Sequence, residues 1–123
     1  MICGDFNLIY RDEDKNNGNL HRRMMGRFRR LISDLALKEV YLNGRRYTWS
    51  NEQSPTLVHL DRVLCTSDWE EAHAACSLRC LASVISVHSP LFLDYAPVRL
   101  HIDGSTSRTC GCAWTASTPR WTW

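Results

Sequence analysis

No run of apolar residues in this sequence is long enough to cross a bilayer. The longest stretch without Asp, Glu, Lys or Arg is Cys80 to Leu93, and His88 and Pro90 interrupt it. Asp5 breaks the start before the apolar core of a signal peptide can form, so an intracellular, soluble chain with no membrane association is expected. A large excess of one charge is also lacking. Fifteen basic residues against thirteen acidic ones leave +2, well short of a strongly cationic nucleic-acid binder. Six cysteines suit a disulfide framework only in a secreted chain, so reduced thiols acting as small hydrophobes are expected. The last segment, 104–123, has no Leu, Ile, Val or Phe but holds five Thr, three Ser and three Trp. Without aliphatic side chains it adds little to a core, and it is expected to be a disordered tail behind a domain over 1–103.

What is there suffices for one domain. The 123 residues are 44% hydrophobic and 23% charged, close to the soluble globular average. Ile2-Cys3 reads as a strand ending at Gly4-Asp5, and a strand so close to Met1 reads as a start inside a domain. Arg11 to Asn19 is a polar loop. Met24, Met25, Phe28, Leu31, Ile32 and Leu35 then fall on one face at helical period, with Arg23, Arg27, Arg30 and Asp34 opposite. Asn43-Gly44, between Val40–Leu42 and Arg45–Trp49, signals a type I′ hairpin, with Tyr47 and Trp49 alternating against Arg46 and Thr48. Val58 to Leu64 reads as a strand with Asp61 near its middle. Ser67 and Glu70 form a capping box for a short helix from Asp68 to about Ala75. Strands follow at Leu78–Ile85, Leu91–Leu93 and Val98–Ile102. The pattern is α+β.

Three clusters carry chemistry. In Gly4-Asp5-Phe6-Asn7, a carboxylate and a carboxamide two residues apart at a strand end can orient a water and bond a phosphate oxygen. The same tetrapeptide also makes an ordinary Asx turn. Asp61, within Leu60-Asp61-Arg62-Val63-Leu64, is an acid among apolar residues and must be paired or face a cleft. Arg62 beside it is the plain partner. His88 lies in the Ser86-Val87-His88-Ser89-Pro90 loop, where a carboxylate partner would fix its tautomer and raise its basicity.

Taken in order, these phrases resemble the C-terminal half of the endonuclease/exonuclease/phosphatase family, the fold of pancreatic deoxyribonuclease and the exonuclease-type abasic-site endonucleases. That family carries a GDFN-like strand end, an L-D-x-[VIF] strand and a terminal S-D-H-x-P loop. Within it, Gly4-Asp5-Phe6-Asn7-Leu8-Ile9, Asn43-Gly44-Arg45-Arg46-Tyr47-Thr48-Trp49-Ser50 and Leu60-Asp61-Arg62-Val63 are most similar to the endonuclease domain of plant non-LTR retrotransposons. The resemblance spans about Ile2 to Asp94. It implies a partial two-sheet α/β-sandwich with the N-terminal half missing, one sheet face under the Met24–Leu35 helix and the other short of a partner.

The resemblance also implies roles. Asp5 is similar to the aspartate that orients or deprotonates the attacking water, and Asn7 to its neighbour that stabilises charge on the phosphate. Asp61 resembles the acid paired with the catalytic histidine, and His88 that histidine. Magnesium is the implied Lewis acid and DNA the implied partner, which would place the chain in the nucleus. One family aspartate is replaced by Val87, and the glutamate ligand of the missing half is absent too. The expectation is therefore a truncated remnant of a metal-dependent DNA endonuclease of retrotransposon origin, inactive as an isolated chain.

Other residues admit other readings. Arg45 and Arg46, beside the expected hairpin, are candidate DNA-binding residues. Arg22, Arg23, Arg27, Arg29 and Arg30 on the helix read first as a solvated face. With the Arg45-Arg46 pair they also suit a non-catalytic DNA-binding remnant. His73, Cys76, Cys80, Cys110 and Cys112 suggest a zinc-bound interaction module, against which their spacing argues. Trp114, Trp121 and Trp123 offer stacking surfaces for bases, though a Ser/Thr/Trp segment is more often unfolded.

Overall fold

The structure is a computed structural model that describes residues 1–51, 53–84, 86–95 and the backbone of 112–114. Its centre is an antiparallel sheet in the order β1-β6-β2, formed by β1 (Ile2–Asp5), β6 (Asp61–Cys65) and β2 (Lys38–Glu39). A second sheet has the order β3-β7-β8-β9, with β3 (Leu42–Asn43), β7 (Ser77–Cys80), β8 (Leu91–Asp94) and β9 (Cys112–Trp114). A two-stranded ribbon joins β4 (Trp49–Asn51) to β5 (Thr56–Val58). Two α-helices, α1 (Arg22–Asp34) and α2 (Ser67–Ala72), and a 3-10 helix over Asp12–Asp14 complete the described elements. The α+β expectation holds. Among these residues no helix is long and apolar enough to cross a membrane.

Strand β6 organises the core, because every one of its residues is buried. Alternation sends Leu64 and Arg62 to one face and Val63 and Asp61 to the other. On the first face Leu64 packs with Phe28 and Ile32 of α1, and Phe6, Leu8, Tyr10 and Leu37 close around them. On the second, Val63 packs with Leu78 of β7 and Leu93 of β8. That face, expected to lack a partner, is thus partly covered. An apolar cavity of about 460 Å³ remains beside it, lined by Met1, Cys3, Val63, Leu78, Leu91 and Leu93 among others.

Helix α1 forms where its period predicts, but its apolar stripe is narrower. Met25, Phe28 and Ile32 are buried, whereas Leu31 and Leu35 stay about half exposed at 52% and 51%. The helix ends in a Schellman arrangement. Leu37 N–H donates to the Ile32 carbonyl and Ala36 N–H to the Ser33 carbonyl, both at 3.0 Å. That geometry puts Ala36 at φ +49°, in the left-handed region where a Cβ is strained. Ala36→Gly is therefore expected to stabilise the chain by about 0.5–1 kcal/mol, relief of strain exceeding glycine's extra unfolded-state entropy. Urea denaturation of the two proteins checks it.

Several local expectations are corrected. Asn43-Gly44 makes no hairpin. Leu42 and Asn43 pair in parallel with Leu78 and Arg79, the Asn43 amide donates to the Leu78 carbonyl at 3.1 Å, and Gly44 at φ +88° turns the chain toward the ribbon. Non-local pairing outweighs the local turn preference here. The expected Val58–Leu64 strand breaks at His59-Leu60, so Asp61 begins β6 instead of lying within it. Helix α2 starts at Ser67, and its N-cap is Thr66, whose hydroxyl accepts from Trp69 N–H. The strand expected over Leu78–Ile85 is shorter, Ser77–Cys80. Within the expected tail, Cys112–Trp114 runs antiparallel to β8. The rest of 104–123 and the Val98–Ile102 strand lie outside the described residues.

The loop between β1 and α1 is fastened by charge. Arg62, 1% exposed, donates from its guanidinium to Asp14, to Glu39 and to the His59 carbonyl. The Asp14 carboxylate also accepts from the Tyr10 and Arg11 N–H groups, each at 2.7 Å. His59 sits within 3.8 Å of Asp14 and 3.6 Å of Glu39. Burial, followed by the Arg62 charge, holds the imidazole below its ordinary range and outweighs the opposing pull of Glu39 and Asp14, which share that one guanidinium. The sign follows from proton counting. His59 stays neutral in the fold while the unfolded chain takes up its proton near pH 6.5, so stability falls as pH drops through that value toward the lower folded one. His59→Gln should flatten this acid slope, seen by comparing thermal melts between pH 7.5 and 5.

Candidate active site

Three strand ends converge on one spot. Asp5 closes β1 and is paired in register with Asp61, the first residue of β6. His88 arrives on the loop before β8, drawn in by an isolated antiparallel bridge with Trp49 and by Ser50 N–H donating to the Val87 carbonyl at 2.9 Å. The result is an Asp61–His88 pair, with His88 Nδ1 3.0 Å from Asp61 Oδ2. An ionised carboxylate only accepts, so Nδ1 carries the proton and Nε2 faces outward. There, Asp5 Oδ2 lies 4.0 Å away, too far for a direct hydrogen bond. Asp61 is buried at 5% exposure, as an acid committed to a partner should be, while Asp5 is open to solvent.

Asn7 joins this group through a turn. Its N–H donates to Asp5 Oδ1 at 2.8 Å, and its backbone takes φ +51°, which asparagine tolerates. The ordinary Asx turn that the tetrapeptide allows is thus formed. Asp5, Asn7 and His88 line one cavity of about 650 Å³ with Trp49, Lys15 and His21. Trp49 gave no chemical signal in the sequence, where it read only as one residue of an alternating strand.

Arg62 does not pair with Asp61. Alternation sends it to the opposite sheet face, to Asp14 and Glu39. Asp14 had no signal of its own in a loop full of acids and amides. Arg45 and Arg46 lie apart from the pair, in a separate cleft of about 430 Å³ with Glu13, Glu39, Tyr41 and His59, where Arg46 approaches Glu13 at 3.8 Å. The α1 arginines are exposed, and Arg29 donates to the Tyr10 carbonyl at 2.6 Å.

Among the described residues, one group brings three ligand atoms within 4.8 Å of each other: Asp5, Asp61 and His88. His73, Cys76 and Cys80 form no such group. His73 stacks on Trp69 at 4.4 Å instead, and burial pushes the Cys80 thiol up. Cys110 lies outside the described residues. Two carboxylates and an imidazole suit a divalent cation in kind. Each already has a duty, however. Asp61 orients His88, and Asp5 holds the Asn7 turn through one oxygen. Val87, the position resembling the family's further aspartate, is 49% exposed and carries no ligand atom.

These strand ends gather an Asp–His pair, a second carboxylate and a carboxamide in a mixed α/β frame. The chain matches the model of the Endonuclease/Exonuclease/phosphatase family over residues 1–105 and belongs to that family. No curated protein and no solved structure gave a match. The family is generally divalent-metal dependent and suggests a nucleic-acid substrate.

Proposed function

We propose that this chain carries the site of a divalent-metal-dependent DNA endonuclease of retrotransposon origin, and that the chain alone turns over little. The observation that carries the reading is the 3.0 Å Asp61–His88 bond with Asp5 facing the free imidazole nitrogen. Asp5 orients the attacking water and takes its proton as the new P–O bond forms and the P–O bond opposite breaks, the departing ester oxygen keeping the electron pair and taking a proton from solvent. The Asn7 carboxamide donates to a phosphate oxygen where negative charge accumulates. His88, fixed by Asp61 at Nδ1, donates to the same phosphate through Nε2 when the ring carries both protons. Asp5 and Asp61 would hold magnesium, which supplies Lewis acidity to the phosphate when bound. Arg45 and Arg46 would contact flanking DNA. Low turnover follows from shared duties: the carboxylates that could hold a cation are those that the water and the imidazole need.

Manganese in place of magnesium tests the site without needing turnover. Titrated into the full chain, it should broaden the NMR signals of Asp5, Asn7, Asp61 and His88 before any others, and Asp5→Asn should abolish this. Broadening centred elsewhere, or none, overturns the metal-site reading. Salt-sensitive DNA binding with no manganese effect would instead favour a non-catalytic DNA-binding remnant.

A further inference from the structure

Both halves of the Asp61–His88 pair are tied to one residue, Thr48: Asp61 through its hydroxyl and the His88 loop through its backbone carbonyl. Thr48 is 1% exposed, although the alternation of its neighbours had assigned Tyr47 and Trp49 to the interior. Its hydroxyl accepts two backbone donors at 3.0 Å, Leu60 N–H and Asp61 N–H. Its carbonyl accepts Ser89 N–H at 2.7 Å, one residue beyond His88. Its own N–H donates to the Val58 carbonyl at 3.0 Å.

We propose that Thr48 is a positioning residue that sets the reach between Asp61 and His88. The inference rests on that pair being the working pair of the site described above. The physical reason lies in where β6 begins. Leu60 and Asp61 stand at the break between β5 and β6, and the Thr48 hydroxyl satisfies both their N–H groups there. A hydroxyl oxygen has two acceptor sites, and both are used. The same residue's carbonyl anchors the loop that carries the imidazole. Asp61 and His88, twenty-seven positions apart in sequence, thus share one support, and its side-chain part needs an acceptor at Oγ1. Serine can supply it. Valine, of nearly the same shape, cannot.

The test reads the imidazole directly in the full chain. Nitrogen-15 NMR should show His88 held as one tautomer with the proton on Nδ1 in the parent and in Thr48→Ser. In Thr48→Val the two ring nitrogens should move toward a common averaged shift while the amide signals of α1 stay in place. Thr66→Val, which strips the N-cap of α2, is the comparably destabilising control and should leave His88 unchanged. A parent-like His88 pattern in Thr48→Val overturns the proposal. So does the same change in Thr66→Val, or loss of the α1 signals in Thr48→Val, which would assign Thr48 to the fold at large. If the tautomer responds as expected while manganese leaves the signals of Asp5, Asn7, Asp61 and His88 unchanged, the positioning stands and the metal-dependent nuclease reading falls by itself.

Discussion

Arg62→Leu is expected to remove about 3–5 kcal/mol of folding stability, enough to unfold a large share of a domain this size at room temperature. The effect is large because the charge is shared. Arg62 bridges Asp14 and Glu39 while itself 1% exposed, and leucine would leave two acids facing each other without that shared counter-charge. Asp14 is buried too, so water cannot replace the guanidinium cheaply. The loss should spread along the chain, since Asp14 also holds the backbone of Tyr10 and Arg11 and thereby the loop leading from Asn7 to α1. Adding Asp14→Asn and Glu39→Gln to Arg62→Leu should recover part of it. Urea denaturation of the single and triple variants measures both, and a single-variant loss below about 1 kcal/mol would show these charges to be solvated after all.

This network also marks where the sequence became illegible. Helix α1 was readable because Met25, Phe28 and Ile32 repeat at helical spacing, and the first strand because Gly4-Asp5 ends it so plainly. The site residues Asp5, Asn7, Asp61 and His88 could be named from their motifs, and three of the four were placed by an acid among apolar neighbours or by a turn. Arg62 was not. Adjacent in sequence to Asp61, it looked like its partner, and only the two-residue period of β6 separates them onto opposite faces. Thr48 failed for the related reason that its burial comes from three segments meeting, which no window of sequence records. Asn43-Gly44 failed in the other direction: a strong local turn signal lost to pairing with β7, thirty-five residues on. Non-local hydrogen bonding decided each of these cases.

The unmodified chain is expected to nick supercoiled plasmid with magnesium barely above the rate of the His88→Ala control, and Val87→Asp alone should not restore cleavage. Phosphodiester hydrolysis needs an activated water, a sink for charge on the phosphate and a firmly held cation at the same moment. Asp5, Asn7 and the Asp61–His88 pair supply the first two. Magnesium dehydrates reluctantly and needs well-placed oxygens, yet Asp61 is turned to His88 and one Asp5 oxygen is held by Asn7. Position 87 is half exposed and directly precedes His88, so a new carboxylate there adds one oxygen ligand and a third acid near His88. That acid should strengthen manganese binding by several-fold, visible as broadening at lower concentration, while cleavage stays low because no further ligand fixes the ion against the phosphate. Rapid nicking by the parent chain, lost in His88→Ala, would show that Asp5, Asn7, Asp61 and His88 suffice and that the proposed low turnover is wrong.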